Sequence, residues 1–168
     1  MRYRLDIVAP SVVEVVRFAG GWVFDRVMAG WDVTVLVADS REDPLPLHIL
    51  GADTADLEVA LTRGLTEPHP HSLAVAADLY GRDARIREGV WRALDSGQTE
   101  VTLWGDQWPA ELERVDSVEH RLSCAARAFK ARALAAASVP VDRIAFTETF
   151  RSGTPASCPV AADLVPAS

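Results

Sequence analysis

Only two cysteines occur in the 168 residues, Cys124 in an alanine-rich run and Cys158 in a proline-bearing tail. Two thiols make no disulfide framework, and a chain this long buries enough apolar surface to fold without one. The expected setting is therefore the reducing cytoplasm. No stretch approaches the roughly 20 apolar residues of a membrane span. Asp6 interrupts the N-terminal segment before an apolar run long enough for a secretory signal, so none is expected. Positive charge is also scarce. Seventeen Lys and Arg against 24 Asp and Glu give a net charge of −7, which argues against nucleic-acid partners because a phosphate backbone repels an acidic surface. The local basic group Arg121, Arg127, Lys130 and Arg132 reads as the solvated face of a helix.

Signature motifs are missing as well. The first strand–helix turn, Val8-Ala-Pro-Ser-Val-Val-Glu-Val15, has no Gly-x-Gly-x-x-Gly and no Gly-Lys-Ser/Thr, so a nucleotide lacks its usual cradle. No Gly-x-Ser-x-Gly elbow supplies a hydrolase nucleophile. His69 and His71 would share one face of a strand and could share a metal there. Pro68 and Pro70 instead favour an extended loop, and no third ligand stands beside them except Glu67. No metal and no cofactor is expected.

What is present is α/β patterning. Tyr3 to Ala9 reads as a buried strand. Ser11 is placed as a helix N-cap with Glu14 three residues later, as in a capping box, opening a helix over about 12–29. Gly30 stands where it would end. Asp32 to Asp39 is the clearest strand, completing a βαβ unit. Further strands are expected at 47–51, 72–79, 99–104 and 144–150. Helices are expected at 55–63, 83–95 and 123–137, the last with Leu122, Ala126, Phe129 and Ala133 spaced to face a sheet. Residues 105–121 read as an irregular loop in which Trp104 and Trp108 flank Asp106, a pairing suited to a sugar or to wedging the loop onto the core. Gly20-Gly21, inside the first helix, implies close approach of a neighbouring element. The fold expected is a Rossmann-like three-layer sandwich, with a mostly parallel sheet of about five or six strands, in one domain over 1–150. A loosely structured tail over 151–168 follows.

Set in order, several segments carry a resemblance. Ala9-Pro10 closes the first strand, Ala19-Gly20-Gly21 follows in the helix, and Gly30-Trp-Asp-Val-Thr-Val-Leu36 makes the second strand. Leu50-Gly51-Ala-Asp53, Leu103 to Trp108, and Arg121 to Leu134 with its spaced Lys130 follow in turn. Across most of residues 3–140 the chain resembles the PIG-L/LmbE-like zinc-dependent deacetylases, which remove acetyl groups from N-acetylglucosamine-type substrates. The resemblance places that family's His-Pro-Asp-Asp motif on the turn from Pro10 to Val15. Its first zinc histidine falls on Ser11, its general-base aspartate on Val13 and its second zinc ligand on Glu14. Its later His-Pro-Asp-His falls near Arg82 to Arg85, where there is no histidine. The segment between the second and third strands is too short for the helix the family usually has there.

A hydrolytic zinc needs three protein ligands and an open position for water, and one carboxylate does not supply them. Valine takes no proton, so the base is gone too. The resemblance thus implies a degenerate member lacking the metal ligands, with no catalytic residues. Its role would be binding, regulation or assembly. Two other readings stay open: a hydrolase or deacetylase acting on an acetamido-sugar-type substrate through a relocated site, using His69, His71, Glu14 or Asp106, and an unrelated Rossmann-like oligomerisation or small-molecule-binding module. A ligand pocket would draw on Ser11, Glu14, Asp39 and Asp53 from the first half. From the second half it would draw on Tyr80, Asp83, Asp106 and Trp108. The partner expected is a small polar or sugar-like molecule, with no membrane. The surface alanines and five tryptophans leave room for a homodimer contact.

Overall fold

The computed structural model describes residues 2–65, 69–110, 116–152 and 163–167. Alternating and then continuous apolar residues make β1 (Arg4–Ala9), and α1 (Val12–Met28) follows at once. Ser11 caps α1 as expected, its side chain accepting from the Glu14 N–H, and Gly30 takes a φ of +95° just past its end. The chain continues through β2 (Asp32–Val37), α2 (Leu45–Ile49), β3 (Asp53–Asp56), α3 (Leu57–Arg63), β4 (Ser72–Ala76) and α4 (Ala77–Arg82). It is completed by α5 (Ala84–Ser96), β5 (Glu100–Trp104), β6 (Ser117–Arg121), α6 (Cys124–Ala136), β7 (Thr147–Ser152) and β8 (Val165–Pro166).

All eight strands join one sheet in the order β3-β2-β1-β4-β5-β7-β6-β8. The first five are parallel, and β7, β6 and β8 extend the sheet antiparallel. The sheet is therefore wider than the five or six strands expected. The strands not expected are β3, which follows the segment read as a strand at 47–51, β6, inside the segment read as loop, and β8, inside the segment read as tail. Residues 111–115 and 153–162, and with them Cys158, lie outside the described residues.

Layers follow from strand parity. Leu5, Ser72 and Glu100 share one face, and Arg26 of α1 reaches Glu100 there. Asp6 and Thr34 point the other way and border a groove lined by α3 residues Val59 and Ala60. α3 and α5 meet through Arg85–Glu58 and Leu65–Gly89.

Three elements differ from the expectation. Leu47 to Gly51 is not a strand: Pro44 and Pro46 fit a first helical turn, where a missing N–H costs nothing, and α2 forms there. The short connection after β2 does hold a helix. β4 ends at Ala76, and the chain turns directly into α4. α6 packs on α1 and α2 rather than on the sheet. Ala126, Lys130, Ala133 and Leu134 are its buried residues, and Phe129 stays partly exposed, stacked on Phe24.

The Gly20-Gly21 pair lets α6 and its approach come close. A Cβ on Gly21 would stand 2.2 Å from Leu122, whereas one on Gly20 would make ordinary contacts at 3.4–3.5 Å. Alanine at either site gains up to about 1 kcal/mol of helix propensity. Gly20→Ala should therefore raise stability in urea unfolding. Gly21→Ala should lower it by about 1–3 kcal/mol, as overpacking does.

Candidate functional site

The carboxyl ends of the parallel strands carry the turns where such sheets bind ligands. After β1, Ser11 is used as a cap: its Oγ accepts from the Glu14 N–H at 3.2 Å. Glu42, arriving from the loop after β2, accepts from the Val12 N–H at 3.3 and 3.4 Å. A helix N-terminus attracts anions, and here the chain's own carboxylate stands in that place. Burial pushes the Glu42 carboxyl up, with the Val12 N–H pulling the other way. A phosphate would have to displace it.

One turn into α1, Glu14 borders a cavity of about 170 Å³. Its other walls are Ala76 and Asp78 after β4, and Trp104, Gly105, Asp106 and Gln107 at the end of β5. Asp78 is bound to Arg82 at 2.5 Å, and Asp106 is exposed. The Glu14 carboxyl is held above the ordinary glutamate range. Burial is the main cause, then the charges of Asp106 and Asp78, opposed by Arg17 and Arg82. Trp104 is fully buried, and its indole N–H has no partner among the described residues. The cavity is thus lined by three carboxylates, of which that of Asp78 is already paired with Arg82.

Of the eight side chains expected around a pocket, Glu14 and Asp106 share this cavity. Asp39 borders a second one, of about 230 Å³, with Ser40, Glu42 and Asp56. Hydrogen bonds from the Arg41 backbone and side chain hold Asp39 below the usual carboxylate range. Asp53 opens β3 opposite Thr34, short of the strand's carboxyl end. Tyr80 is buried in α4, and its carbonyl accepts from Arg87 at 2.9 Å. Asp83 caps α5 and pairs with Arg85, which also binds Glu58. Trp108 packs on the core with the Arg151 guanidinium 4.8 Å from its ring centre.

Asp78 was hidden by the reading of a strand through Leu79. An acid two residues past an apolar strand end, in the first turn of α4, was the signal available. The histidines lie elsewhere. His71 precedes β4, at the opposite end of the sheet, where its Nδ1 accepts from the Arg4 N–H at 3.0 Å. His48 is exposed on α2, and His120 is enclosed on β6. Among the described residues no group of three His, Cys, Asp or Glu comes together to hold a metal ion. The zinc implied by the resemblance therefore finds no fitting ligand set among the described residues. No helix among the described residues is long and apolar enough to cross a membrane.

No family model matches the sequence, and no curated protein matches it. Solved structures do. The A40926 pseudoaglycone deacetylase Dbv21 superposes with a TM-score of 0.60 at 16% identity, over 90% of this chain and 97% of that one. The N,N'-diacetylchitobiose deacetylase of Pyrococcus horikoshii gives 0.59 at 10% identity, over 92% and 87%. GalB, the 4-carboxy-2-hydroxymuconate hydratase of Pseudomonas putida KT2440, gives 0.56 at 14%, over 91% and 97%. The likeness is one of fold: the deacetylases among these neighbours have the PIG-L/LmbE fold, and this chain shares it. A hydratase on the same fold shows that the fold does not dictate one chemistry.

Proposed function

We propose that this chain is a non-catalytic binding protein on the deacetylase fold, and that its strand-end cavity takes a small hydroxylated molecule carrying a positive charge. The observation that carries this reading is the set Glu14, Asp78 and Asp106 around one cavity, without histidine. The carboxylates are spread around a space rather than converged on a point, which suits an organic ammonium better than a metal ion. The carboxylates also accept hydrogen bonds from hydroxyl groups, and Trp104 closes one side of the space. An amino sugar has this combination of groups. Its N-acetylated form lacks the charge.

The test pairs binding with chemistry. Metal analysis of purified protein should find no stoichiometric zinc, and an N-acetylglucosamine conjugate should not be hydrolysed. Calorimetric titration should give glucosamine an affinity about tenfold above N-acetylglucosamine, since a close charge pair near a surface is worth on the order of 1–2 kcal/mol. A bound cation favours ionised Glu14. Affinity should therefore fall on acidification, beginning above the ordinary glutamate range because the Glu14 carboxyl is raised. Glu14→Gln should flatten that profile. Stoichiometric zinc with chelator-sensitive turnover would sink the proposal. Turnover without metal would favour a relocated hydrolase.

A further inference from the structure

At the amino end of the sheet, far from Glu14, a second site is fully built and already filled by the chain itself. Arg26 is 1% exposed, and its guanidinium carbon lies 4.7 Å from the centre of the Trp22 ring and 4.2 Å from that of Trp31. Such stacking fixes the plane of the fork. Arg26 Nε and Nη2 donate to the two carboxylate oxygens of Asp163 at 2.6 and 2.8 Å. Trp22 Nε1 donates to the same carboxylate at 2.9 Å. His120 Nδ1 donates to the Asp163 carbonyl at 3.0 Å. Four donors thus read one residue, and two of them, Arg26 Nε and Nη2, form a forked, charge-assisted pair.

Leu164 packs against the core, and the rest of the segment is held thinly. β8 is two residues long, one of them Pro166, which has no N–H to give. Outside the ladder, the Ala167 N–H donates to the Ser117 carbonyl at 3.0 Å. Most of the polar hold therefore rests on Asp163, which is how a pocket holds a peptide ligand rather than how a sheet holds a core strand.

We propose that residues 163–167 act as a peptide ligand for the socket of Arg26, Trp22, Trp31 and His120, and that the socket accepts this segment from a second copy of the chain. The second copy is the fitting partner because it carries the same aspartate, the same Val165-Pro166 and nothing that must be relearned. Exchange conserves every one of these bonds, so it changes only the connection between donor and acceptor. A chain whose segment has left also exposes β6 as a bare sheet edge, which recruits a strand. This proposal does not depend on the ligand of the strand-end cavity.

The test uses the full chain. Isotopically light and heavy wild-type proteins are mixed over a concentration series and weighed by native mass spectrometry. Mixed dimers should grow with concentration. A free peptide of residues 161–168 in excess should dissolve them, and the same peptide with Asp163→Asn should be weaker by about tenfold or more, having lost the charged acceptor. The full-length Asp163→Asn protein should form fewer mixed dimers. Because the peptide arms use only wild-type protein, a variant that misfolds does not spoil the test. A wild-type chain that stays monomeric throughout, or dimers equally sensitive to both peptides, would overturn the proposal.

Discussion

Replacing Lys130 with methionine is expected to destabilise the protein by about 3–5 kcal/mol, the usual cost of leaving one member of a buried pair uncompensated. Lys130 Nζ lies 2.7 Å from Glu148 and donates to the Arg17 carbonyl at 2.7 Å. Both side chains are almost wholly enclosed, at 7% and 3% exposure. The Glu148 oxygens in turn accept from the Gly21 and Trp22 N–H groups at 2.9 and 2.7 Å. The pair therefore joins β7 and α6 to the middle of α1. It reaches backbone that glycine leaves bare. Methionine keeps the apolar volume of the lysine stem but leaves the carboxylate buried without its cation.

The pH dependence gives this prediction its signature. Burial already raises the Glu148 carboxyl, with Lys130 and the two backbone N–H groups pulling it down. An acid whose folded pKa exceeds its unfolded value loses stability as pH rises through that window. Removing Lys130 removes the largest opposing influence and extends the window upward. The deficit of Lys130→Met should therefore be largest at neutral pH and shrink as pH falls toward the ordinary carboxylate range. Adding Glu148→Gln should recover part of the loss at neutral pH. Urea unfolding at several pH values reads all three results.

The two glycines of α1 were visible in sequence as a demand for close approach, but not what approached. Leu122 and Glu148 lie about 100 or more residues away in the chain, and no local pattern names them. The same limit governs the sheet. The parallel half was legible because buried parallel strands are apolar throughout, as in Ile7-Val8-Ala9 and Val35-Leu36-Val37. Of the antiparallel half only β7 was, as the strand expected at 144–150. β6 reads Ser-Val-Glu-His-Arg, and its His120 and Glu119 look like loop residues. His120 is buried only because Asp25 and Asp163 meet its two ring nitrogens, at 2.8 and 3.0 Å. At the cavity, Glu14 was found because it belongs to a helix start that sequence marks well. Asp78 was missed because a strand and a helix join at Ala76-Ala77 without a turn residue between them.

Arg26→Met should cost a similar amount to Lys130→Met, about 3–5 kcal/mol, for a related but separable reason. Arg26 stands between Glu100 and Asp163, 3.2 and 2.6 Å away. Methionine fills the space between Trp22 and Trp31 well enough that the stacked rings need not collapse. What it cannot do is neutralise Glu100, which is 7% exposed. The loss should accordingly be recovered in part by Glu100→Gln on the same chain, which removes the stranded charge. Asp163→Asn should recover less, because its carboxylate is more open to water, at 26% exposure. Thermal unfolding of the three variants separates these contributions. For a chain of this length each 1 kcal/mol moves the midpoint by roughly 2–4 °C, so Arg26→Met alone should lower it by about 6–20 °C. Equal recovery by both second changes would mean that the tail contact, rather than the buried Glu100, is what Arg26 chiefly serves.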